Sequence, residues 1–109
     1  MQYSEIITAD SLNATDVLMV PHKTTLTGVN VQNGEEAVSF VMLYDAAAVG
    51  DVTVGTTIPD WVVTVPASSV ATDTLPSDGV VFELGIVAAS LTTVLGNTGA
   101  SQHVRITVA

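Results

Sequence analysis

The sequence predicts an all-β protein: a single β-sandwich or jelly-roll-like domain of about eight short antiparallel strands. Three observations carry that expectation. Val and Thr supply 19 and 15 of the 109 residues, and β-branched side chains lose rotamer freedom in helices but fit a pleated surface. Several runs alternate apolar and polar residues with period two, the pattern of a strand covered on one face. Turn residues break these runs at intervals of roughly 8–12 residues, a spacing typical of sandwiches and small barrels. The length fits one domain. Residues 1–20 are expected to be an N-terminal arm or an edge strand, and residues 21–109 the sandwich itself.

Taken in order, Ile6-Ile7 and residues 17–20 read as short strands near the start. Leu26, Val29 and Val31 lead into Asn33-Gly34, the dipeptide best suited to the positive φ angles of a type I′ hairpin turn. After it, Val38, Phe40, Met42 and Tyr44 alternate with Ser39, Val41 and Leu43, so this run is apolar on both faces from Phe40 onward. Such a strand should lie centrally, one face in the core and the other covered by something else. Residues 46–57 read as a loop carrying Gly50 and Gly55, with a helical turn starting at Ala46 and stopped at Val49-Gly50. Residues 61–65 form a strand bounded by Pro59 and Pro66, and residues 68–78 a polar link with a short strand near Val70. Residues 80–82 and 85–91 read as strand bent at Gly85, followed by a turn at Gly96, Asn97 and Gly99. In the closing strand, His103, Arg105 and Thr107 alternate with Val104, Ile106 and Val108.

Charge narrows the partners. Two basic residues, Lys23 and Arg105, stand against 11 acidic ones, for a net charge of -9. A phosphate backbone is gripped by several Lys and Arg contacts, so no nucleic-acid partner is expected. Anionic membrane surfaces are disfavoured for the same reason. Cysteine is absent, which removes disulfide and thiol chemistry. No apolar run reaches the length of a membrane span, and the first residues lack the pattern of an export signal. A soluble protein made in the cytoplasm is expected, and the Asn13-Ala14-Thr15 sequon is read as chance.

Reactive constellations are scarce. His22 and His103 have no companion at metal-ligand spacing. Asp45 and Asp51, and again Asp73 and Asp78, flank loops that could offer oxygen ligands, but without a recognised calcium-loop spacing. Paired carboxylates also suit glycoside hydrolysis, yet the chain has only one Trp, two Tyr and two Phe to line a groove. No nucleophile elbow or phosphate loop is present. The expectation is a protein that is not an enzyme and uses no cofactor or metal. What the chain does offer is apolar strand surface with few charges, and exposed patches of that kind mark association sites.

Four stretches stand in a fixed order: Val41-Met42-Leu43-Tyr44-Asp45, Val54-Gly55-Thr56-Thr57-Ile58-Pro59, Val62-Val63-Thr64-Val65-Pro66-Ala67 and Phe82-Glu83-Leu84-Gly85-Ile86-Val87-Ala88. In order and spacing they resemble a group of small bacteriophage and prophage virion proteins, over roughly residues 26–108. The sequence departs from that pattern at Ala46, where a basic residue often follows the Tyr-Asp pair. The resemblance implies a virion protein on the capsid exterior. It would be a decoration or cement protein that clamps the major capsid protein, stabilises the head and works as a homotrimer. The alternative is a tail- or fibre-associated β-sandwich that binds a tail partner or a host glycan. The expected interface residues are Tyr3, Ile6 and Ile7 on the N-terminal arm, together with Trp61, Val41 and Leu43. In this reading the second apolar face of the central strands is buried by trimerisation. Residues 1–9 would be needed for capsid binding but dispensable for folding, unless they are an ordinary edge strand.

Overall fold

The computed structural model describes residues 5–73, 75–76, 78–93 and 98–109; Tyr3, Gly96 and Asn97 lie outside the described residues. Within them the chain forms nine strands: β1 (Glu5–Leu12), β2 (Val17–Val20), β3 (Thr24–Asn33), β4 (Ser39–Asp45), β5 (Trp61–Val65), β6 (Val70–Asp73), β7 (Val80–Phe82), β8 (Ile86–Leu91) and β9 (Gln102–Val108). A single 3-10 turn at Val49–Asp51 interrupts the loop after β4, three residues later than the helical turn expected at Ala46. The strands make two antiparallel sheets. One has the order β1-β9-β3-β6, with β7 also pairing β3; the other has the order β2-β8-β4-β5.

The all-β expectation holds, with nine strands where about eight were expected. The inner faces of the two sheets meet in one apolar core. Leu26, Val29, Val31, Val104 and Ile106 come from the first sheet, and Val41, Leu43, Val63, Ile86 and Ala88 from the second. Strand β9 shows why alternation works as a signal. Val104, Ile106 and Val108 are buried, whereas His103, Arg105 and Thr107 face outward. Burying each such aliphatic side chain contributes about 1.5–3 kcal/mol.

Two readings need correction. Asn33-Gly34 does not close a hairpin, because β3 and β4 belong to different sheets. Both edges of β3 are already occupied, by β9 on one side and by β6 and β7 on the other. Strand β4 is likewise flanked by β5 and β8. The segment after Asn33 therefore crosses from one sheet to the other. Among the described residues the positive-φ glycines are Gly55, Gly79 and Gly85, and Gly34 is not one of them.

The second correction concerns the outer face of β4. It is covered, but by the same chain. Met42 and Tyr44 pack with Val87, Ala89 and Leu91 of β8 beneath Ala46, Val52 and Val54 of the following loop. Ala14, from the β1–β2 link, joins them. The loop is closed at its base by Asp60, whose backbone N–H donates to Leu43 O and whose Oδ2 accepts from the Asp45 N–H. No second subunit is needed to bury this face.

Gly85 lets the chain pass from β7 in the first sheet to β8 in the second. Its φ is +148°, and a Cβ there would stand 2.7 Å from Ala46 O and closer still to Val20 O. The expected bend at Gly85 is thus a change of sheet. Asp45 fixes the same corner, its carboxylate accepting from the backbone N–H groups of Glu83 at 3.1 Å and Leu84 at 2.8 Å.

Candidate functional site

The expected interface residues separate once the sheets are built. Val41 and Leu43 are 0% exposed and belong to the inter-sheet core, so they are withdrawn as contact residues. Strand alternation divides β4 into two faces, and these two residues fall on the inward one. Ile7 is half-buried and packs against the core from β1, as does Trp61 from β5. Tyr3 lies outside the described residues. Ile6 stands out: it is 64% exposed on the outermost strand of the first sheet.

Strand β1 is integral to the sandwich. It pairs with β9 in unbroken register from Glu5↔Val108 to Ala9↔Val104, with an irregularity only between Ala9 and Leu12. Leu12, at its end, is 1% exposed and part of the core. Removing residues 1–9 would strip the sheet of this strand and uncover β9, so that truncation does not separate binding from folding. The opposite edge of β1 has no neighbouring strand among the described residues. Free edges are normally blunted by shortness, Pro, Lys or bulges. Strands β2 and β6 have four residues each, and β5 lies between Pro59 and Pro66. β1 has eight residues, none of them Pro, Lys or Arg, and is irregular only toward its end, between Ala9 and Leu12.

Beside this edge runs a cleft of about 310 Å³ between β1 and β2, walled by Ile7, Ala9, Leu12, Val17, Leu18 and Met19 together with the polar Thr8, Asp10 and Ser11. Val17 and Leu18 are partly exposed there, at 42% and 37%. Both sit in a recognisable strand, but their exposure follows from β2 being the outer strand of the second sheet, which no local pattern reveals.

A second concavity, of about 580 Å³, opens at one end of the first sheet. Its walls include Asp10, Gln32, Ser68, Val70, Ser101 and His103. Asp10 Oδ1 lies 3.0 Å from His103 Nδ1. The rim is tied together by Asn33, at the end of β3, and Glu35, in the segment that crosses between sheets. Asn33, 4% exposed, donates from Nδ2 to Ala37 O at 3.0 Å, Pro66 O at 3.1 Å and Val65 O at 3.3 Å. Its Oδ1 accepts from the Glu35 N–H at 2.9 Å. Glu35 in turn accepts at its main-chain oxygen from the Ser68 N–H and at Oε1 from the Ser101 N–H. Ser68 is held at φ 52°, a left-handed conformation uncommon for a residue with a side chain.

Elsewhere several titratable groups are tied to their neighbours. Asp45 is committed to the Glu83 and Leu84 N–H groups, and Lys23 pairs at the surface with Glu83 at 3.3 Å. His22 Nδ1 lies 3.1 Å from Lys23 O. Burial, followed by the nearby Asp16 carboxylate, raises the Tyr44 phenol above its ordinary value. Among the described residues, no three His, Cys, Asp or Glu side chains converge as a metal site would require. Among them, too, no helix is long and apolar enough to cross a membrane. Compared with family models, with curated proteins and with solved structures, the chain matches none.

Proposed function

We propose that this chain is a structural protein of a bacteriophage particle, a decoration or cement protein that binds the outer surface of the major capsid lattice and stabilises the head. The ordered resemblance across residues 26–108 motivates the reading. The observation that carries it furthest is the free edge of β1, regular from Glu5 to Ala9 with Ile6 exposed upon it, next to the cleft against β2. A sheet edge binds an extended segment through main-chain hydrogen bonds, and neighbouring apolar contacts select which segment. Many identical copies binding only the assembled lattice stabilise that lattice by mass action. The net charge of -9 would leave the coated surface acidic and mutually repulsive. The homotrimer belongs to the proposal on the resemblance alone, since the outer face of β4 is already covered within one chain.

The test is co-sedimentation with empty capsids assembled from the major capsid protein of the phage that carries this chain's gene. The unmodified protein should pellet with them at hundreds of copies per particle, on the order of the number of lattice sites. The double variant Ile6→Lys/Thr8→Lys should stay in the supernatant, because lysine on an edge blocks strand pairing. Losing the exposed Ile6 contact alone should weaken binding about tenfold. Both positions are exposed, and Thr8→Lys opposite Arg105 costs under about 1 kcal/mol, so the variant should stay folded. Full pelleting by a folded variant would remove β1 from the interface. A handful of copies on whole particles would move the protein to the tail.

A further inference from the structure

We infer that the groove at the end of the first sheet is a binding site for a neutral saccharide, separate from the β1 edge and independent of the capsid reading. Gln32 offers an amide, Ser101 a hydroxyl, and Ser68 a hydroxyl oxygen that can accept while its proton is given to Glu35 O at 3.4 Å; Asp10 and His103 form a carboxylate–imidazole pair at 3.0 Å. With Nδ1 directed at Asp10, Nε2 remains to bond a ligand hydroxyl, which can donate or accept. A sugar hydroxyl is both donor and acceptor, so a row of such groups matches vicinal hydroxyls. Val70, 59% exposed on the same wall, supplies an apolar surface for the C–H face of a ring.

Two further features favour this class of ligand. The rim is preorganised: Asn33 and Glu35 lock three separate segments together and hold Ser68 in its left-handed conformation. A site whose polar groups are already fixed loses little freedom on binding. Beneath the floor, Gln102 is 2% exposed, and neither polar atom of its amide has a hydrogen-bond partner among the described residues. An unpaired buried amide favours polar company over apolar. The charge pattern disfavours anionic and polycationic ligands. No Lys or Arg lines the groove, and the net charge of -9 repels anions such as phosphate. The one lining carboxylate is already paired with His103, which leaves a polyamine no cluster of acids to bind.

An array of neutral and sialylated glycans probed with labelled protein tests the inference, followed by amide-resolved NMR titration of the best neutral hit. Retention on neutral glycans is expected, with saturable shifts confined to Gln32, Ser68–Val70 and Ser101–His103. Gln32→Ala and His103→Ala, both on the outward face, should each weaken binding about tenfold, the loss expected for one or two ligand hydrogen bonds. Spermine and inorganic phosphate, titrated in parallel, should leave these amides unmoved. Retention on no neutral glycan, shifts that fall elsewhere, equal affinity in both variants, or saturation by spermine or phosphate instead would each overturn it.

Discussion

Replacing Asn33 with Asp changes one NH₂ group to oxygen and leaves the side-chain shape almost untouched. In the protein that NH₂ faces three carbonyl oxygens, those of Ala37, Val65 and Pro66, at 3.0–3.3 Å. The substituted oxygen would turn these attractions into repulsions inside a site that is 4% exposed. Losing a buried donor costs about 1–3 kcal/mol, and placing an unpaired charge there adds several more. A deficit of about 3–5 kcal/mol at neutral pH is therefore expected, a large share of the roughly 5–15 kcal/mol that holds a domain together. The sign of its pH dependence follows from the same geometry. Burial against carbonyl oxygens raises the folded-state pKa of the new carboxyl above its unfolded value. The folded protein then holds the proton more tightly, so the deficit is smallest in acid and grows as pH rises through the folded-state pKa. Asn33→Ala serves as the control: it loses the same hydrogen bonds but adds no titrating group, and its deficit relative to the parent should not change with pH. Urea denaturation of all three proteins from acid to neutral pH supplies the numbers, provided the m-values agree. A neutral-pH deficit below about 0.5 kcal/mol for the Asp variant, with no relief in acid, would show that this amide does not hold the corner.

Two more substitutions probe the core and its cover. Gly85→Ala places a methyl group against Val20 O and Ala46 O at φ +148°; it should cost about 3 kcal/mol or more and lower the thermal midpoint sharply, and a midpoint within a few degrees of the parent would contradict the packing at that crossing. The raised pKa of Tyr44 means that stability should fall as pH rises past the phenol's ordinary value of 10.0, because the unfolded chain ionises first; Tyr44→Phe should flatten that alkaline decline, as followed by denaturant midpoints at increasing pH.

How much of this could be read from the residues alone differs from one element to the next. Strand β9 was legible because its two faces differ in polarity, and β4 because both of its faces are apolar. Periodicity separates Val41 and Leu43 from Met42 and Tyr44, but it does not say which pair faces the other sheet and which lies under a loop. That loop was hard to recognise as a cover, since Val52 and Val54 stand among Gly, Thr and Asp with no regular spacing. The Asn-Gly pair misled for a chemical reason. A short amide side chain can satisfy a tight hairpin or bond to distant main-chain carbonyls. The choice depends on whether the flanking strands have free edges, and theirs are taken. The polar groove had no signature in the sequence, because its walls come from β1, β3, the β5–β6 link and the start of β9.

The position of β9 also governs how the molecule assembles. Its residues are made after every other strand of the nine, yet it sits between β1 and β3 and joins them. Until Gln102–Val108 has emerged from the ribosome, the first sheet exists only as separated pieces, and the second has nothing complete to close upon. Such long-range pairing folds slowly. Premature chain termination, or a proteolytic nick just ahead of Gln102, would cost the protein half of its architecture rather than a frayed end.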